Sequence, residues 1–258
     1  MDVLIFSGQS NMQGATEGCP LENEPVEGAW EYKVSSNEFV ELKHPVGENL
    51  GDWLYAAGGG GGSLVPDFCR AYRKECGKDC IAIHVAKGGS TIGEWLYGTQ
   101  RYYHAVGKIR AGIAEAKKNH EIEKVYFVWL QGESDAIIGT TQEEYSQRLY
   151  ALKNSIKKDV GIDKFAMIRV GHFISVVNWN LGITQEEKLA REEGIMRAQD
   201  RAEKEDGDFT VLTRICSQLS KDPTCLNPYA AGHYNNESMK KIGEAAGTAL
   251  GKIRNAEK

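Results

Sequence analysis

Five short runs rich in apolar and β-branched residues recur along the chain, and they are near-continuous rather than alternating with polar residues. A near-continuous apolar run is typical of a strand buried on both faces of a parallel sheet, whereas a half-exposed strand alternates with polar residues. The pattern therefore predicts a five-stranded, mostly parallel sheet. The runs are residues 2–6, 80–86, 124–130, 165–170 and 209–214.

Amphipathic helices are predicted between these runs, because apolar residues recur there at three-to-four spacing. Thr141 and Thr184 each precede a Gln-Glu-Glu sequence, which is a helix start with an N-cap and early acidic residues. The alternation predicts an α/β fold, a three-layer α/β/α sandwich with right-handed crossovers, as one domain over residues 1–258. The helical segments are residues 64–76, 102–119, 141–159, 184–205 and 237–255.

Three long connections interrupt the alternation, at residues 15–62, 172–185 and 216–236. Each follows a predicted strand, so all three are expected at the carboxyl edge of the sheet, where open α/β sheets bind ligands. The first connection ends in five consecutive glycines, residues 58–62. They indicate either a flexible loop or a backbone that approaches a ligand closely.

Charge and hydropathy narrow the possible partners and location. The formal net charge is −5 and the sequence pI is near 5.8. Nucleic acids and anionic membranes are bound by basic faces, so we expect neither as a partner. No run approaches the roughly 18 apolar residues of a membrane helix. Met1 leads straight into strand-like sequence rather than a signal peptide. We expect a cytoplasmic protein, with secretion left open if a leader was removed; the oligomeric state is not predicted.

Cysteine and histidine spacing indicates neither a metal site nor a disulfide framework. The six cysteines form no CxxC pair or zinc quartet, and the six histidines show no metal-ligand grouping. We therefore expect no metal and no cofactor, and mostly free thiols in a reducing compartment. Cys216 and Cys225 are the pair that most needs checking for a disulfide.

Polar loops follow three of the predicted strands. Ser10 lies in QSNMQG after the first strand, Gly89 in KGGST after the second, and Gln131 in QGESD after the third. His233 lies in AAGHYNN before the last helix. In a sheet of order 2-1-3-4-5 the second and third strands flank the first, so these loops are expected to be neighbours. Taken alone, Ser10 is better explained as a helix N-cap, and only the other motifs together favour a nucleophile.

Acyl transfer requires a nucleophile, a base that is held in place, and hydrogen-bond donors for the oxyanion. Ser10 on a tight turn can supply the hydroxyl, and His233 can act as the general base. The backbone N–H groups of Ser10 and Gly89, with the side-chain amide of Gln131, can form an oxyanion hole. By themselves these residues indicate only ester hydrolysis by a serine.

The motifs resemble those of the SGNH hydrolase superfamily, and in particular its carbohydrate esterase branch of sialate O-acetylesterase and acetylxylan esterase relatives. The match spans nearly the whole chain in the same order, and the pairing of its first and third blocks is specific. The resemblance implies a flavodoxin-like SGNH fold, an acetylated carbohydrate as substrate and an acetyl-enzyme on Ser10. The matching residues are Gly8-Gln9-Ser10-Asn11-Met12, Gly88-Gly89 with Ile92 and Trp95, Gln131-Gly132-Glu133-Ser134-Asp135, and His233.

One position departs from the superfamily pattern, in which an aspartate often lies three residues before the histidine. Here that position is Ala230. The base must then be oriented by another acid, by a backbone carbonyl or by water, and a Ser–His dyad also remains open. Glu133 is the first candidate for the acid because it follows the third strand, near the predicted serine. Asp135 and Asp222 are the weaker candidates.

Four further residues are candidates for substrate contacts: Gln9, Asn11, Trp95 and His172. Gln9 and Asn11 flank the serine, and Trp95 is an aromatic side chain beside the long loops that could stack on a sugar. His172 ends the fourth predicted strand and is also a rival for the base.

Two other functions remain open at this stage. A non-catalytic carbohydrate-binding protein of the same fold would explain the missing aspartate. An FMN-binding module would use the polar loop after the first strand as a phosphate cradle, although it assigns no role to Gln131, Glu133 or His233.

Overall fold

The apolar runs form the centre of a seven-stranded sheet in the computed structural model, which describes residues 1–48 and 61–257. The strands are β1 (Asp2–Gly8), β2 (Ala29–Lys33), β3 (Glu38–Glu41), β4 (Cys80–Ala86), β5 (Lys124–Leu130), β6 (Lys164–Ile168) and β7 (Phe209–Thr213). Their order is β3-β2-β4-β1-β5-β6-β7, and only the β2–β3 pair is antiparallel. The predicted strands therefore lie in the predicted order, and the fold class is confirmed.

The expected number of five strands is wrong, because β2 and β3 lie inside the connection that was predicted to be irregular. Both strands are short and carry charged residues. They extend the sheet beyond β4, and β3 forms its edge with Glu38 and Glu41 exposed. Charged side chains are common on edge strands, where they oppose further strand pairing. They also remove the apolar signal by which buried strands are recognised.

Helices cover the sheet and place the connections at its carboxyl edge. Helix α2 packs against α8, while α5 packs against both α3 and α6. Short helices α1, α4 and α7 and two 3₁₀ turns, Ile92–Trp95 and Pro223–Cys225, lie in the connections. The helices are α1 (Ser10–Gln13), α2 (Val65–Cys76), α3 (Gln100–Ala116), α4 (Glu133–Ile138), α5 (Gln142–Val160), α6 (Gln185–Glu205), α7 (Cys216–Leu219) and α8 (Asn236–Ala256).

Several smaller expectations concern single residues. All six cysteines are free, Cys216 and Cys225 among them. Gly58, Gly59 and Gly60 of the glycine run lie outside the described residues. Within the described ranges, no helix has the length and apolar character needed to cross a bilayer.

Candidate active site

Ser10 is placed by the abrupt end of β1. The strand closes at Gly8, Gln9 is extended with φ −112° and ψ −151°, and Ser10 begins the four-residue helix α1. Gly14 ends this helix in the left-handed region with φ +101°. The N-cap position thus belongs to Gln9, and no side chain caps the helix. The N-cap explanation for Ser10 is therefore wrong, and its hydroxyl is available for another role.

His233 is the hydrogen-bond partner of that hydroxyl. Its Nε2 lies 2.8 Å from the Oγ of Ser10, across 223 residues of sequence. Its Nδ1 lies 3.3 Å from the carbonyl oxygen of Ala230 and 3.2 Å from that of Ala231. A carbonyl oxygen only accepts hydrogen bonds, so Nδ1 must carry the proton. The lone pair of Nε2 is then directed at the Ser10 hydroxyl, as a general base requires.

The environment of His233 keeps its imidazole neutral. Burial lowers the pKa of His233, while the hydrogen bonds to the Ala230 and Ala231 carbonyls raise it, and the net effect is a pKa below the ordinary histidine value. A histidine with a lowered pKa is deprotonated at neutral pH. The ring can therefore accept a proton under ordinary conditions.

The structure contradicts the predicted placement of Glu133 against His233. Glu133 is buried, and its Oε1 accepts a hydrogen bond of 2.8 Å from the Asn11 side-chain amide. Its Oε2 is also buried and has no hydrogen-bond partner among the described residues. Burial raises the pKa of Glu133, while the Asn11 bond opposes that rise. Gly132, with φ +151°, turns the chain at the end of β5 before this carboxyl group.

The two weaker candidates for the acid also bond elsewhere. Asp135 is fully buried, and its Oδ2 accepts from the Ile92 N–H at 2.8 Å and from the Gln131 amide at 2.6 Å. Asp222 accepts from the backbone N–H of Thr224 at 2.9 Å, at the surface. In the described part of the chain, the acceptors at Nδ1 of His233 are thus the two backbone carbonyls.

Asn11 joins the three blocks of the site instead of facing a substrate. It is 1% exposed, its Nδ2 donates to Glu133, and its Oδ1 accepts from the backbone N–H of Tyr234 at 3.4 Å. Tyr234 directly follows the histidine. The residue next to Ser10 therefore connects α1 to the start of α4 and to the His233 loop, and the predicted substrate contact of Asn11 is wrong.

Gln131 is buried in a network that leaves its amide no free donor. Its Nε2 faces Asp135 Oδ2 at 2.6 Å, the Ser90 carbonyl at 3.0 Å and Gln9 Oε1 at 3.3 Å. An amide nitrogen has two protons, so these acceptors occupy both. Gln9 is also buried, and its Oε1 accepts from the Ser134 N–H at 3.1 Å. The structure contradicts an oxyanion role for Gln131 and a substrate contact for Gln9; both tie strand ends together.

Gly88 and Gly89 lie beside the serine as the strand order predicts. The Gly88 N–H donates to the side chain of Gln13, and a Cβ built on Gly88 would lie 3.4 Å from the Cβ of Ser10. Gly89 has φ +72°, with open space where its side chain would be. The loop after β4 therefore runs beside Ser10 and leaves the space at Gly89 open.

Trp95 and His172 are not at the serine either. Trp95 is 2% exposed, its Nε1 donates to Ser90 Oγ at 2.9 Å, and its ring packs edge-on against Trp129. His172 is buried, with its Nδ1 3.0 Å from the Glu192 carboxylate. The predicted substrate contacts of both residues, and the rival role of His172 as base, are contradicted because each is held in a buried scaffold.

Phe173 lies against His233 although the sequence did not single it out, and Trp179, a loop tryptophan that the sequence ranked below Trp95 as a sugar contact, packs against Phe173. The Phe173 ring packs edge-to-face on His233, with centroids 5.4 Å apart, and it also contacts Trp179 at 5.3 Å. Phe173 is buried, whereas Trp179 is 37% exposed. Their position in the long connection after β6 was the available signal. Trp53 lies outside the described residues, and Trp179 is the partly exposed ring that packs on Phe173 beside His233.

The Glu133→Gln variant should retain hydrolytic activity within about threefold of wild type, because the Gln oxygen can still accept from Asn11. The measurement is kcat for 4-nitrophenyl acetate at neutral pH. Glu133→Ala is the matched variant: it leaves a buried amide unpaired and should lower the free energy of unfolding by about 1–3 kcal/mol. A hundredfold loss of kcat in a fully folded Glu133→Gln would show that the carboxylate acts on the imidazole after all.

A parallel sheet of this order, with a hydrogen-bonded serine and histidine at its carboxyl edge, defines the SGNH class of ester hydrolases. The family model described as "Carbohydrate esterase, sialic acid-specific acetylesterase" matches residues 1–247, and the chain belongs to this family. The resemblance expected from the motifs is thereby confirmed. The protein is a carboxylic ester hydrolase that acts as an acetylesterase on carbohydrates.

Solved structures similar to this chain share its fold at low sequence identity. A protein from Arabidopsis thaliana is 17% identical, with a TM-score of 0.72 and coverage of 98% of each chain. NanS is 15% identical, with a TM-score of 0.67 and coverage of 100% of this chain and 98% of its own. Axe2, an acetylxylan esterase from Geobacillus stearothermophilus, is 12% identical, with a TM-score of 0.52 over 95% of this chain and 91% of its own. No curated protein sequence matches this chain significantly.

Proposed function

We propose that the protein removes O-acetyl groups from carbohydrates through an acetyl-enzyme on Ser10. The observation that carries this proposal is the 2.8 Å hydrogen bond between Ser10 Oγ and His233 Nε2. The lone pair of Nε2 is directed at the hydroxyl because Nδ1 donates to the Ala230 and Ala231 carbonyls. These contacts join a nucleophile to a base of fixed tautomer, as acyl transfer requires.

In the proposed reaction, Ser10 Oγ attacks the acetyl carbonyl carbon while His233 Nε2 takes the hydroxyl proton. The carbonyl π electrons move to oxygen and form a tetrahedral oxyanion. When the intermediate collapses, the bond to the sugar oxygen breaks and His233 returns the proton to that oxygen. Water then attacks the acetyl-enzyme with His233 again as base, releasing acetate and restoring the Ser10 hydroxyl.

Two backbone carbonyls would take the place of a carboxylate in this mechanism. A carboxylate orients the imidazole and stabilises the imidazolium with a full charge, whereas carbonyls do so with dipoles. They retain the orientation and the tautomer but supply less electrostatic stabilisation. The proposed catalytic unit is therefore a Ser10–His233 dyad held by the Ala230 and Ala231 carbonyls.

The oxyanion would be bound by the backbone N–H groups of Ser10 and Gly89. Ser10 is the first residue of α1, and an N–H group at that position has no acceptor within its own helix. Gly89 lies in the loop that contacts Ser10 and has open space above it. Two backbone donors are sufficient for an oxyanion hole of the kind found in acyl-transfer enzymes.

The alternative functions explain the site less well. A non-catalytic sugar-binding protein has no use for a serine hydroxyl aligned with a neutral imidazole. In an FMN-binding module the loop after β1 would face a phosphate, yet here the first residue of α1 bonds to His233.

The substrate proposed for this site is an O-acetylated sialic acid or a short acetylated xylo-oligosaccharide. The family description names sialic acid, and the Geobacillus structure is an acetylxylan esterase. Trp179 supports a carbohydrate ligand, because its partly exposed ring lies two ring contacts from His233, through Phe173. Aromatic side chains with one open face can pack against apolar sugar faces. We propose that the sugar bearing the acetyl group stacks on Trp179.

Trp179→Ala should raise KM for the acetylated sugar about 3- to 10-fold, from the loss of about 0.5–1.5 kcal/mol of aromatic contact. It should leave 4-nitrophenyl acetate kinetics within twofold, because that ester has no sugar to stack. Acetate release from acetylated sialic acid, acetylated xylo-oligosaccharides and 4-nitrophenyl acetate makes the comparison.

Tyr97→Ala is the control for this test, because Tyr97 is a more exposed aromatic residue that packs against Tyr102 and Tyr103 instead. Its KM for the sugar ester should stay at the wild-type value. Hydrolysis of 4-nitrophenyl acetate without any acetate release from the sugars would contradict the proposed substrates, but it would still support a serine esterase.

A further inference from the structure

The loop that carries His233 is closed on itself by one buried residue, Asn227. Its backbone N–H donates to the His233 carbonyl at 2.7 Å, and its own carbonyl accepts from the Ala230 N–H at 3.4 Å. The His233 N–H in turn donates to the Ala230 carbonyl at 3.1 Å. The two carbonyls that hold His233 Nδ1 therefore lie inside a turn, residues 227–233, whose first and last residues are bonded to each other.

The side chain of Asn227 completes this turn in two directions. Its Oδ1 accepts from the Tyr229 N–H at 2.9 Å, and its Nδ2 donates to the Ala15 carbonyl at 2.8 Å. The first bond is an Asx turn, which sets the path of the following backbone. The second joins the turn to the chain just after α1, the helix that begins with Ser10. Asn227 is 5% exposed, so water does not readily replace either bond.

We propose that Asn227 is a positioning residue for catalysis: it shapes the 227–233 turn so that the Ala230 and Ala231 carbonyls meet His233, and it fixes the distance between this turn and Ser10. The proposal rests on the proposed function for the role of His233 as base. It assigns to a turn-forming amide the orienting task that an aspartate performs in a Ser–His–acid site.

The groups in contact with the His233 ring allow a test of whether the pKa of His233 depends on the shape of the 227–233 turn. Within the described ranges, the hydrogen-bond and ring contacts of the His233 ring are the Ser10 hydroxyl, the Phe173 ring and the two carbonyls. Among the described residues, burial and the two carbonyl bonds account for the pKa of His233, without a contribution from a charged side chain. Because the carbonyl bonds raise that pKa, loss of the turn geometry should lower it further.

Asn227→Ala removes both side-chain bonds. We expect kcat for 4-nitrophenyl acetate to fall about 10- to 100-fold, because small displacements of catalytic groups cost rates of this order. KM should stay within about twofold. The acidic limb of the kcat pH profile, where His233 becomes protonated and inactive, should move to lower pH. Asn227→Ser keeps a turn-forming acceptor but is too short to reach Ala15, so its kcat and pH limb should lie between those of wild type and Asn227→Ala.

The experiment combines those pH profiles with ¹⁵N NMR titration of His233 in the full chain, and active serine is counted with a phosphonate label. Asp222→Ala is the matched control, because Asp222 forms a comparable turn with Thr224 in the same connection, outside residues 227–233. Its pH profile and the pKa of His233 should equal those of wild type.

If Asn227→Ala folds and its His233 has the wild-type pKa, the proposal is wrong. A fall in kcat that matches a fall in phosphonate-labelled serine would not support it, because such a fall reports fewer active molecules. If Asn227→Ala does not fold, the intermediate shift expected for Asn227→Ser decides in its place. An inert wild-type protein would contradict the proposed function, but the NMR titration would still support or overturn the placement of His233 by Asn227.

Discussion

Ser10→Ala is expected to abolish ester hydrolysis, with kcat falling by at least about 10³-fold. The variant should retain the fold because Ser10 caps no helix, and its one side-chain hydrogen bond within the described residues is to His233. Without the Oγ atom no acetyl-enzyme can form, and only direct attack by water remains. The measurement is turnover of 4-nitrophenyl acetate, together with labelling of the intact protein by a serine-directed phosphonate, which should mark Ser10 alone.

The kcat of His233→Ala should fall by a similar factor, because the nucleophile and the base act as one unit and the effects of losing each do not add. Ser146→Ala is the control, since Ser146 is a buried serine of α5 whose hydroxyl has no hydrogen-bond partner in the part of the chain that the structure describes. It should hydrolyse the ester at the wild-type rate. If Ser10→Ala hydrolysed the ester at the wild-type rate, or if the phosphonate labelled another residue, the proposed mechanism would be wrong.

Gly8→Ala is expected to lower the free energy of unfolding by at least about 3 kcal/mol, because it combines backbone strain with a steric clash. Gly8 has φ +148°, and a Cβ built there would overlap the carbonyl oxygen of Leu130 on β5. That carbonyl also accepts from the Gln9 N–H at 3.1 Å. The close contact sets where β1 ends and therefore where Ser10 begins α1. Urea unfolding monitored by circular dichroism measures the loss.

Gly77→Ala separates the clash from the backbone conformation in this test. Gly77 also has a positive φ, +69°, but no atom lies within 4 Å of the position of a Cβ. Its substitution should cost about 1–2 kcal/mol, the penalty of a left-handed residue alone. Equal losses for the two variants would mean that the contact between Gly8 and Leu130 does not constrain the sheet edge.

The positions of the five central strands could be predicted from the sequence, because strands buried on both faces of a sheet form near-continuous apolar runs. Their order was expected from the doubly wound pattern 2-1-3-4-5, and the structure confirms it. The residues of β1, β4 and β5 are apolar at almost every position, and β1 and β4 are buried throughout. Strands β2 and β3 form no such run, because both are short and carry charged residues, and β3 is an edge strand that exposes one side. Their place in the sheet depends on the pairing of β2 with β4, at a distance in sequence that no local pattern reports, and β3 then pairs with β2.

The residues that meet at the site were only partly predictable for a related reason. Ser10, Gly89 and His233 follow from motif order and strand order, because the carboxyl ends of neighbouring parallel strands share one edge. Gln131 and Glu133 lie in equally polar loops, yet both point into the core. The direction of a side chain after a strand depends on the turn and on contacts across more than a hundred residues, such as the Asn11–Glu133 bond.

By itself, the sequence predicted the fold class and the family, and it named the serine and the histidine that the structure brings into hydrogen-bond contact. Only the tertiary structure decided what orients the histidine. The Ala230 and Ala231 carbonyls accept from Nδ1, and every residue of a protein has a carbonyl group, so this role leaves no signature in residue type. It depends on the path of the backbone, which the buried contacts of Asn227 with Tyr229 and Ala15 determine after the chain has folded.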